Sequence, residues 1–561
     1  MKNRCLKLSI ASGAVGLLLS GCQKTEDVRP NIVLILADDL GFSDLGCYGG
    51  EIHTPNIDNL ARNGLRYTHF CNAGRSCPSR ACLLTGLYPH QAGVGHMVAD
   101  RGIDGYHGTL VQNSVTIAEA LQGCGYQTAL AGKWHVCNNI DPKGDISQWP
   151  MQRGFERYYG NLNGYADYWN PDALFEGNSP VKAEGDYYYT EAITEHACNY
   201  IAEMSEAGQP FFLYVSYTAP HYPLHARQEY INHYKGKYAA GWDSLRIRRF
   251  ERIKELGILP QSATLPEQDP QCYPWAEEEY KEWQQARMEV YAAMVEQMDE
   301  GVGQIVKKIK ECAHADNTLV IFLSDNGASS EGHLYNTIER SGAVWKKDDM
   351  FTKDGRKITP GDIPGLVPGD DDTFGSYGPQ WAHLSCTPFK RYKSWVHEGG
   401  ICAPMVVCWP SRIKDCGAIR RSAYCINDLL PTFLEIAGGE YPDSIRGLKT
   451  IPIEGVSFAN AFMEDSACPD RLMFWEHEGN RAVRQGRWKL VSEYPGAWKT
   501  LRPYPSCGRW ELYDIETDPT ETCDLAAERP ELVDSLASLW REWASRSGVR
   551  DWKEIGGENW Y

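Results

Sequence analysis

Four stretches of this chain are predominantly apolar: residues 31–37, 126–131, 211–217 and 318–323. Short runs with little polar alternation predict strands buried on both faces, as in a parallel sheet. Between them, apolar positions recur at helical spacing. The longest such pattern spans residues 278–312 and carries Met288, Ala292, Met294, Met298, Val302 and Ile305. This alternation predicts an α/β fold, a large mostly parallel sheet wrapped by helices. From about residue 443 the pattern changes to short strand-like pieces, at 481–491 and 509–514, followed by a terminal helix over 530–545. These predict a smaller α+β subdomain with an antiparallel sheet. No internal repeat and no low-complexity segment interrupts the two units.

The first residues follow a different logic. Lys2, Arg4 and Lys7 precede an apolar run over 10–19, too short to span a bilayer. Leu19-Ser20-Gly21-Cys22 then looks like a bacterial lipobox, with Cys22 as the lipidated first residue of the mature chain. The expected organisation is therefore a signal peptide at 1–21, a polar tether at 22–29, the large α/β domain at 30–442 and the smaller subdomain at 443–561. Such a protein would sit in the bacterial cell envelope, periplasmic or on the cell surface, held by its lipid alone.

Composition narrows the picture. The chain of 561 residues is 42% hydrophobic and 23% charged, which is ample for a packed core. Its net charge of -18, without a block of Lys or Arg, argues against nucleic-acid binding. The 19 cysteines include no Cys-x-x-Cys pair of the zinc-ribbon kind. Several, such as Cys402 and Cys408, lie in apolar surroundings where free thiols act as small hydrophobes.

Chemistry collects just after the four apolar runs. Asp38-Asp39 follows the first, Lys133-Trp134-His135 the second, Pro220-His221 the third and Asp325-Asn326-Gly327 the fourth. Ligands of open α/β sheets bind beyond the carboxyl ends of the strands, so these clusters are expected to converge. Asp38, Asp39, Asp325 and Asn326 are hard oxygen donors suited to Ca²⁺ or Mg²⁺. Two-zinc phosphatase chemistry would need histidines among them. His225 lies four residues after His221, but Pro220 and Pro223 argue against a helix that would pair them on one metal. Ser76 to Arg80 precedes an apolar stretch at 81–87 that should be helical, and a helix N-terminus favours an anion.

Ser76-Cys77-Pro78-Ser79-Arg80, running on to Leu84-Thr85-Gly86, resembles the signature of type I sulfatases, in the serine form of an arylsulfatase-like subgroup. Gly486-Arg487-Trp488-Lys489-Leu490 and Glu511-Leu512-Tyr513-Asp514 are similar to that family's C-terminal subdomain. The resemblance implies an alkaline-phosphatase-like sandwich, one divalent cation (usually calcium) and oxidation of Ser76 to formylglycine by a maturase. It assigns Asp38, Asp39, Asp325, Asn326 and modified Ser76 to the metal. Arg80 would hold the formylglycine diol, Lys133 the diol and sulfate, and His135 would act as general base. His221 would contact sulfate on the acid side. Lys393, before Glu398-Gly399-Gly400, would bind sulfate, with Lys390 and Arg391 as nearby competitors. Trp475 to Arg481 also resembles a subgroup segment, which places His477 and Asn480 near the pocket rim.

The implied reaction is hydrolysis of a sulfuric ester, an aryl sulfate or a sulfated carbohydrate. The acidic surface disfavours gripping a long polyanion, so a pocket for a terminal sulfated hexose such as galactose is expected. The alternatives are a phosphonate or phosphate-ester hydrolase on the same scaffold and a non-catalytic glycan-binding lipoprotein.

Overall fold

A computed structural model describes residues 29–332, 351–465, 470–494 and 508–556. Cys22 and most of the expected tether lie outside these residues. The central sheet has eleven strands. Its main members are β1 (Asn31–Ala37), β2 (Leu65–Cys71), β3 (Gln127–Gly132), β4 (Arg157–Asn161), β5 (Phe211–Ser216), β6 (Thr318–Ser324) and β7 (Cys402–Cys408). Their order across the sheet is β2-β7-β6-β1-β5-β3-β4. The pairs β6-β1, β1-β5, β5-β3 and β3-β4 are parallel, while β7 runs antiparallel to both β6 and β2.

The sequence of β1 explains why it lies at the centre. Val33, Ile35 and Ala37 face one hydrophobic core; Ile32, Leu34 and Leu36 face the other. All six are fully buried, and each large aliphatic side chain among them stabilises the fold by roughly 1.5–3 kcal/mol. Two long helices cover the first face: α1 (Tyr189–Glu206) and α2 (Lys281–Lys310). Met288, Val295, Met298 and Val302 of α2 point into that core at helical spacing. Against the opposite face packs a helix of ten residues, α3 (Ser76–Thr85), with Ala81 and Leu84 in the second core. It starts at Ser76 itself, earlier than the apolar stretch implied, and ends at Gly86, whose φ of 68° the left-handed cap requires.

The carboxyl-terminal unit is an antiparallel meander of β8 (Leu472–His477), β9 (Asn480–Gln485), β10 (Trp488–Ser492) and β11 (Glu511–Asp514). The single strand expected over 481–491 is in fact two strands, because Gly486 turns the chain at a φ of 55°. The helix α4 (Pro530–Ser547) covers the sheet, with Trp543 stacked on Phe474. Residues before the meander belong with the large domain, since Phe458, Ala461 and Phe462 pack into its second core. Among the described residues no helix is long and apolar enough to cross a membrane.

Candidate functional site

The sheet order sets the site. Strands β6, β1, β5 and β3 are consecutive and parallel, so the residues after their carboxyl ends emerge side by side. Asp325 and Asn326 follow β6, Asp38 and Asp39 follow β1, His221 lies beyond β5, and Lys133 and His135 follow β3. The N-terminus of α3 faces this row. Ser76 Oγ donates to Asp38 Oδ1 at 2.9 Å and lies 3.1 Å from Asn326 Oδ1.

Charge around Ser76 is dense and buried. Lys133 Nζ bonds Asp38 Oδ2, and Arg80 bridges Asp38 at 3.4 Å and Asp325 at 2.9 Å. Lys393 Nζ lies 2.9 Å from Asp39 and 3.2 Å from Glu331. Asn326 Nδ2 donates to Asp39 Oδ1 at 2.6 Å. His221 hydrogen-bonds the Tyr222 carbonyl through Nδ1 at 2.7 Å, which commits that proton and turns Nε2 toward Asp39, 3.5 Å away. The Gly164 backbone lies against the His135 ring, since a Cβ at Gly164 would stand 2.6 Å from its Nε2.

The electrostatics follow from burial. Burial, together with the negative Asp38, pushes the Asp39 carboxyl up to about 6 against the pull of Lys393, and that of Asp325 up to about 7 against Arg80 and Lys133. Burial opposes ionisation of Asp38 too, yet Lys133, His221 and Arg80 hold it well below the carboxylate range. Burial lowers Lys133, and it takes His135 well below the usual histidine range with Lys133 adding to the effect. Burial and Lys393 take His221 down to about 3. Three buried carboxylates and an amide oxygen therefore meet, two of them pressed toward neutrality. Asp38, Asp39 and His221 offer ligand atoms within 4.8 Å of one another. The carboxylates and the amide oxygen fit a hard divalent cation, and His221 is the one histidine nitrogen in this cluster.

Of the three basic candidates in one loop, only Lys393 enters the site. Lys390 reaches the Tyr513 hydroxyl at 3.0 Å, and Arg391 pairs with Asp269 and with Glu493 at 2.6 Å. His225 is buried against the Thr373 carbonyl at 2.8 Å, away from the cluster. His477 and Asn480 are the two residues that the resemblance placed near the pocket rim. Both are buried at the ends of β8 and β9, because the two-residue turn between them, Glu478-Gly479, points inward. Asn480 Nδ2 instead braces the Ser394 carbonyl at 3.3 Å, beside Lys393.

Sequence reasoning missed three charged residues. Arg75, the N-cap of α3, is held by Glu331 at 2.7 Å and by Glu478 at 3.1 Å. Glu331 bridges Arg75 and Lys393, and Glu478 also meets His96 at 3.1 Å. Adjacency to Ser76 was the one available signal for Arg75. Glu478 lies within the Trp475 to Arg481 segment, where the resemblance marked its neighbours His477 and Asn480 but not Glu478 itself, and Glu331 follows Asp325-Asn326-Gly327 with no motif to mark it.

Comparison with known proteins gives a consistent picture. The sequence pattern of the Sulfatase family matches residues 30–439, and that of the N-sulphoglucosamine sulphohydrolase C-terminal region matches residues 390–544. An uncharacterized sulfatase of Schizosaccharomyces pombe is 33% identical over 94% of this chain and 95% of its own length. An arylsulfatase of Klebsiella aerogenes is 32% identical over 81% of this chain and 96% of its own. Among solved structures, Ps i-CgsB in complex with k-i-k-neocarrahexaose superposes with a TM-score of 0.65 at 24% identity, covering 95% of this chain and 97% of that one. At that identity the likeness speaks for the fold.

Proposed function

This chain belongs to the sulfatase family, and from that premise we propose that it hydrolyses the sulfate ester of a terminal sulfated hexose, such as galactose, through a formylglycine made from Ser76. The family match and the arylsulfatase relative support sulfate ester hydrolysis, and the fold is alkaline-phosphatase-like. The observation that carries the rest is the position of Ser76. Its Oγ is held by Asp38 and Asn326 at the start of a helix, with cationic Lys133 beside the same carboxylate.

In the proposed mechanism Asp38, Asp39, Asp325, Asn326 and modified Ser76 would hold one calcium ion, and that ion would supply Lewis-acid neutralisation of sulfate charge. Formylglycine supplies a geminal diol in place of a weak serine hydroxyl. Lys133, Lys393 and Arg80 hold the anionic group and balance charge as the S–O bond breaks; fixed positive groups in a buried site need no reorganisation to do so. Lys393, whose ammonium lies between Asp39 and Glu331, would pass a proton to the leaving oxygen, while His221, with its Nδ1 proton committed to a carbonyl, presents an unprotonated Nε2 to the site. His135, held neutral by burial and by Lys133, is suited to accept a proton from the diol.

The amino-terminal pattern supports a lipid anchor at Cys22 and a place in the bacterial cell envelope, where exported glycans are met. The test combines mass and turnover. The peptide containing Ser76 should appear about two mass units below serine, the loss of two hydrogens. The matured protein should release sulfate from sulfated galactoses and from 4-nitrophenyl sulfate, and chelation should suppress this until calcium is returned. Full activity with unmodified Ser76 would refute the formylglycine, and two zinc ions at full occupancy would replace this reading with the phosphatase alternative.

A further inference from the structure

Away from the reacting groups, one buried charge lacks a counter-charge. The helix Gly241–Glu255 packs against the helix Gly378–Ser385, with Trp242 edge-on to Trp381 at 5.2 Å. The first helix buries Arg246 and the second buries His383, only 8% and 3% exposed. Arg246 Nη1 donates to the Pro266 carbonyl at 2.9 Å, but its Nε and Nη2 reach no acceptor. Neither ring nitrogen of His383 has a partner. The two side chains are neighbours, since Arg246 is the charge that acts most on His383. Buried polar atoms are nearly always paired, so four orphans on two adjacent groups point to something bound there.

Charge balance says what it is. Among the described residues no carboxylate comes within ion-pair distance of Arg246. The acids that act on it from farther off, Asp269 and Asp243, are already engaged. Asp269 accepts from Arg391 and from the Gln271 N–H at 2.8 Å; Asp243 accepts from the Trp275 N–H at 2.7 Å and from Gln268 at 3.2 Å. Cys272 also acts on Arg246, but burial and Asp269 keep its thiol neutral. Burial, reinforced by Arg246, takes His383 down to about 3, whereas burial lowers Arg246 only to about 10. Arg391 is matched by Asp269 and Glu493. One positive charge is therefore left over at neutral pH. A buried water would satisfy the N–H groups and leave that charge unpaired, which is costly; a divalent anion would overshoot it.

We propose that Arg246 and His383 bind one small monovalent anion, chloride, held by the Nε and Nη2 side of the guanidinium and by a histidine N–H. A neutral imidazole keeps one N–H to donate. The ion stands in for a carboxylate and leaves Asp269 to Arg391, two residues before Lys393. The site is independent of the sulfatase chemistry.

The test uses the full chain, dialysed free of halide into sodium gluconate. Replacing gluconate by about 100 mM chloride at constant ionic strength should raise Tm by about 2 °C. Crystals soaked in bromide should show an anomalous peak within about 3.5 Å of Arg246 Nε or Nη2 and of a His383 ring nitrogen. Arg246→Met removes the charge while keeping an apolar stem, and should lose both the peak and the chloride dependence of Tm. His383→Phe should weaken chloride binding about tenfold, read as a titration of Tm. Equal Tm in chloride and gluconate, or a site holding water without anomalous signal, would overturn the proposal. So would a chloride effect that survives Arg246→Met, or a Tm that rises with sulfate but not with chloride. If either variant fails to fold, the two wild-type readings decide the matter.

Discussion

Cys77 follows Ser76, yet its Sγ points to the His96 carbonyl oxygen at 3.4 Å, and burial pushes its thiol up to about 12. A thiolate nucleophile is therefore not available there at neutral pH. Ser76→Ala should abolish sulfate release, while Cys77→Ser should keep it within about threefold of wild type, because a buried free cysteine acts as a small hydrophobe; steady-state kinetics on 4-nitrophenyl sulfate decide this. Asp39 and Asp325 make a second prediction. Their folded-state pKa values, about 6 and about 7, lie above those of an unfolded chain, so the stability they contribute is present at low pH and is lost as pH rises through that range. Asp38 is depressed and works the other way, losing its contribution only in strong acid. Without a cation, thermal stability should fall between about pH 5 and pH 7.5, and calcium should restore more of it at the higher pH. A calcium-induced Tm shift that is equal at both pH values would exclude repulsion between these carboxylates as the cause.

Two glycine-bearing turns show what a motif means once it is folded. Gly327 donates its N–H to the Gly400 carbonyl at 3.0 Å, and a Cβ on Gly327 would stand 1.9 Å from the Gly399 carbonyl oxygen. A Cβ on Gly399 would lie 2.2 Å from the Arg391 carbonyl oxygen. The Asp325-Asn326-Gly327 turn after β6 is thus pressed onto the segment that positions Lys393. Gly399→Ala should shift that loop and lower kcat/KM by about tenfold or more, with a loss of about 1–3 kcal/mol in denaturant unfolding. Glu398 is tied in turn to Lys489 of β10 at 2.7 Å, and Lys489 also meets Glu521 at 2.8 Å, all three buried. Lys489→Met should cost about 3–5 kcal/mol by leaving two carboxylates without their cation. The four central strands were legible because each is buried on both faces and so reads as an unbroken apolar run. The turn at Gly486 was not, since a tight hairpin of this kind leaves the strand pattern on either side continuous. The polar clusters after β1, β3, β5 and β6 were legible because they sit at strand ends, whereas Glu331 and Glu478 reach the cluster from loops whose direction only the fold defines.

The antiparallel unit is not an appendage. Glu478 reaches Arg75, the Trp475 indole donates to the Asn72 carbonyl at 2.9 Å, and the Trp540 indole donates to the Trp475 carbonyl at 3.0 Å. These contacts run from α4 through the meander to the turn that precedes Ser76. Calorimetry should accordingly show one cooperative transition for the whole chain, and a protein ending at residue 443 should fail to fold; two resolved transitions would refute this coupling. The burial of Ser76 has a further consequence, one of timing. Its side chain is closed off at the start of a packed helix, only 2% exposed, with both oxygen partners already in place. On the formylglycine reading, another protein must reach that carbon before the sheet and helix close over it. Maturation then competes with folding, and a chain that folds first is sealed as an inert product. The yield of active enzyme would be decided during synthesis and export, by which of two clocks runs faster.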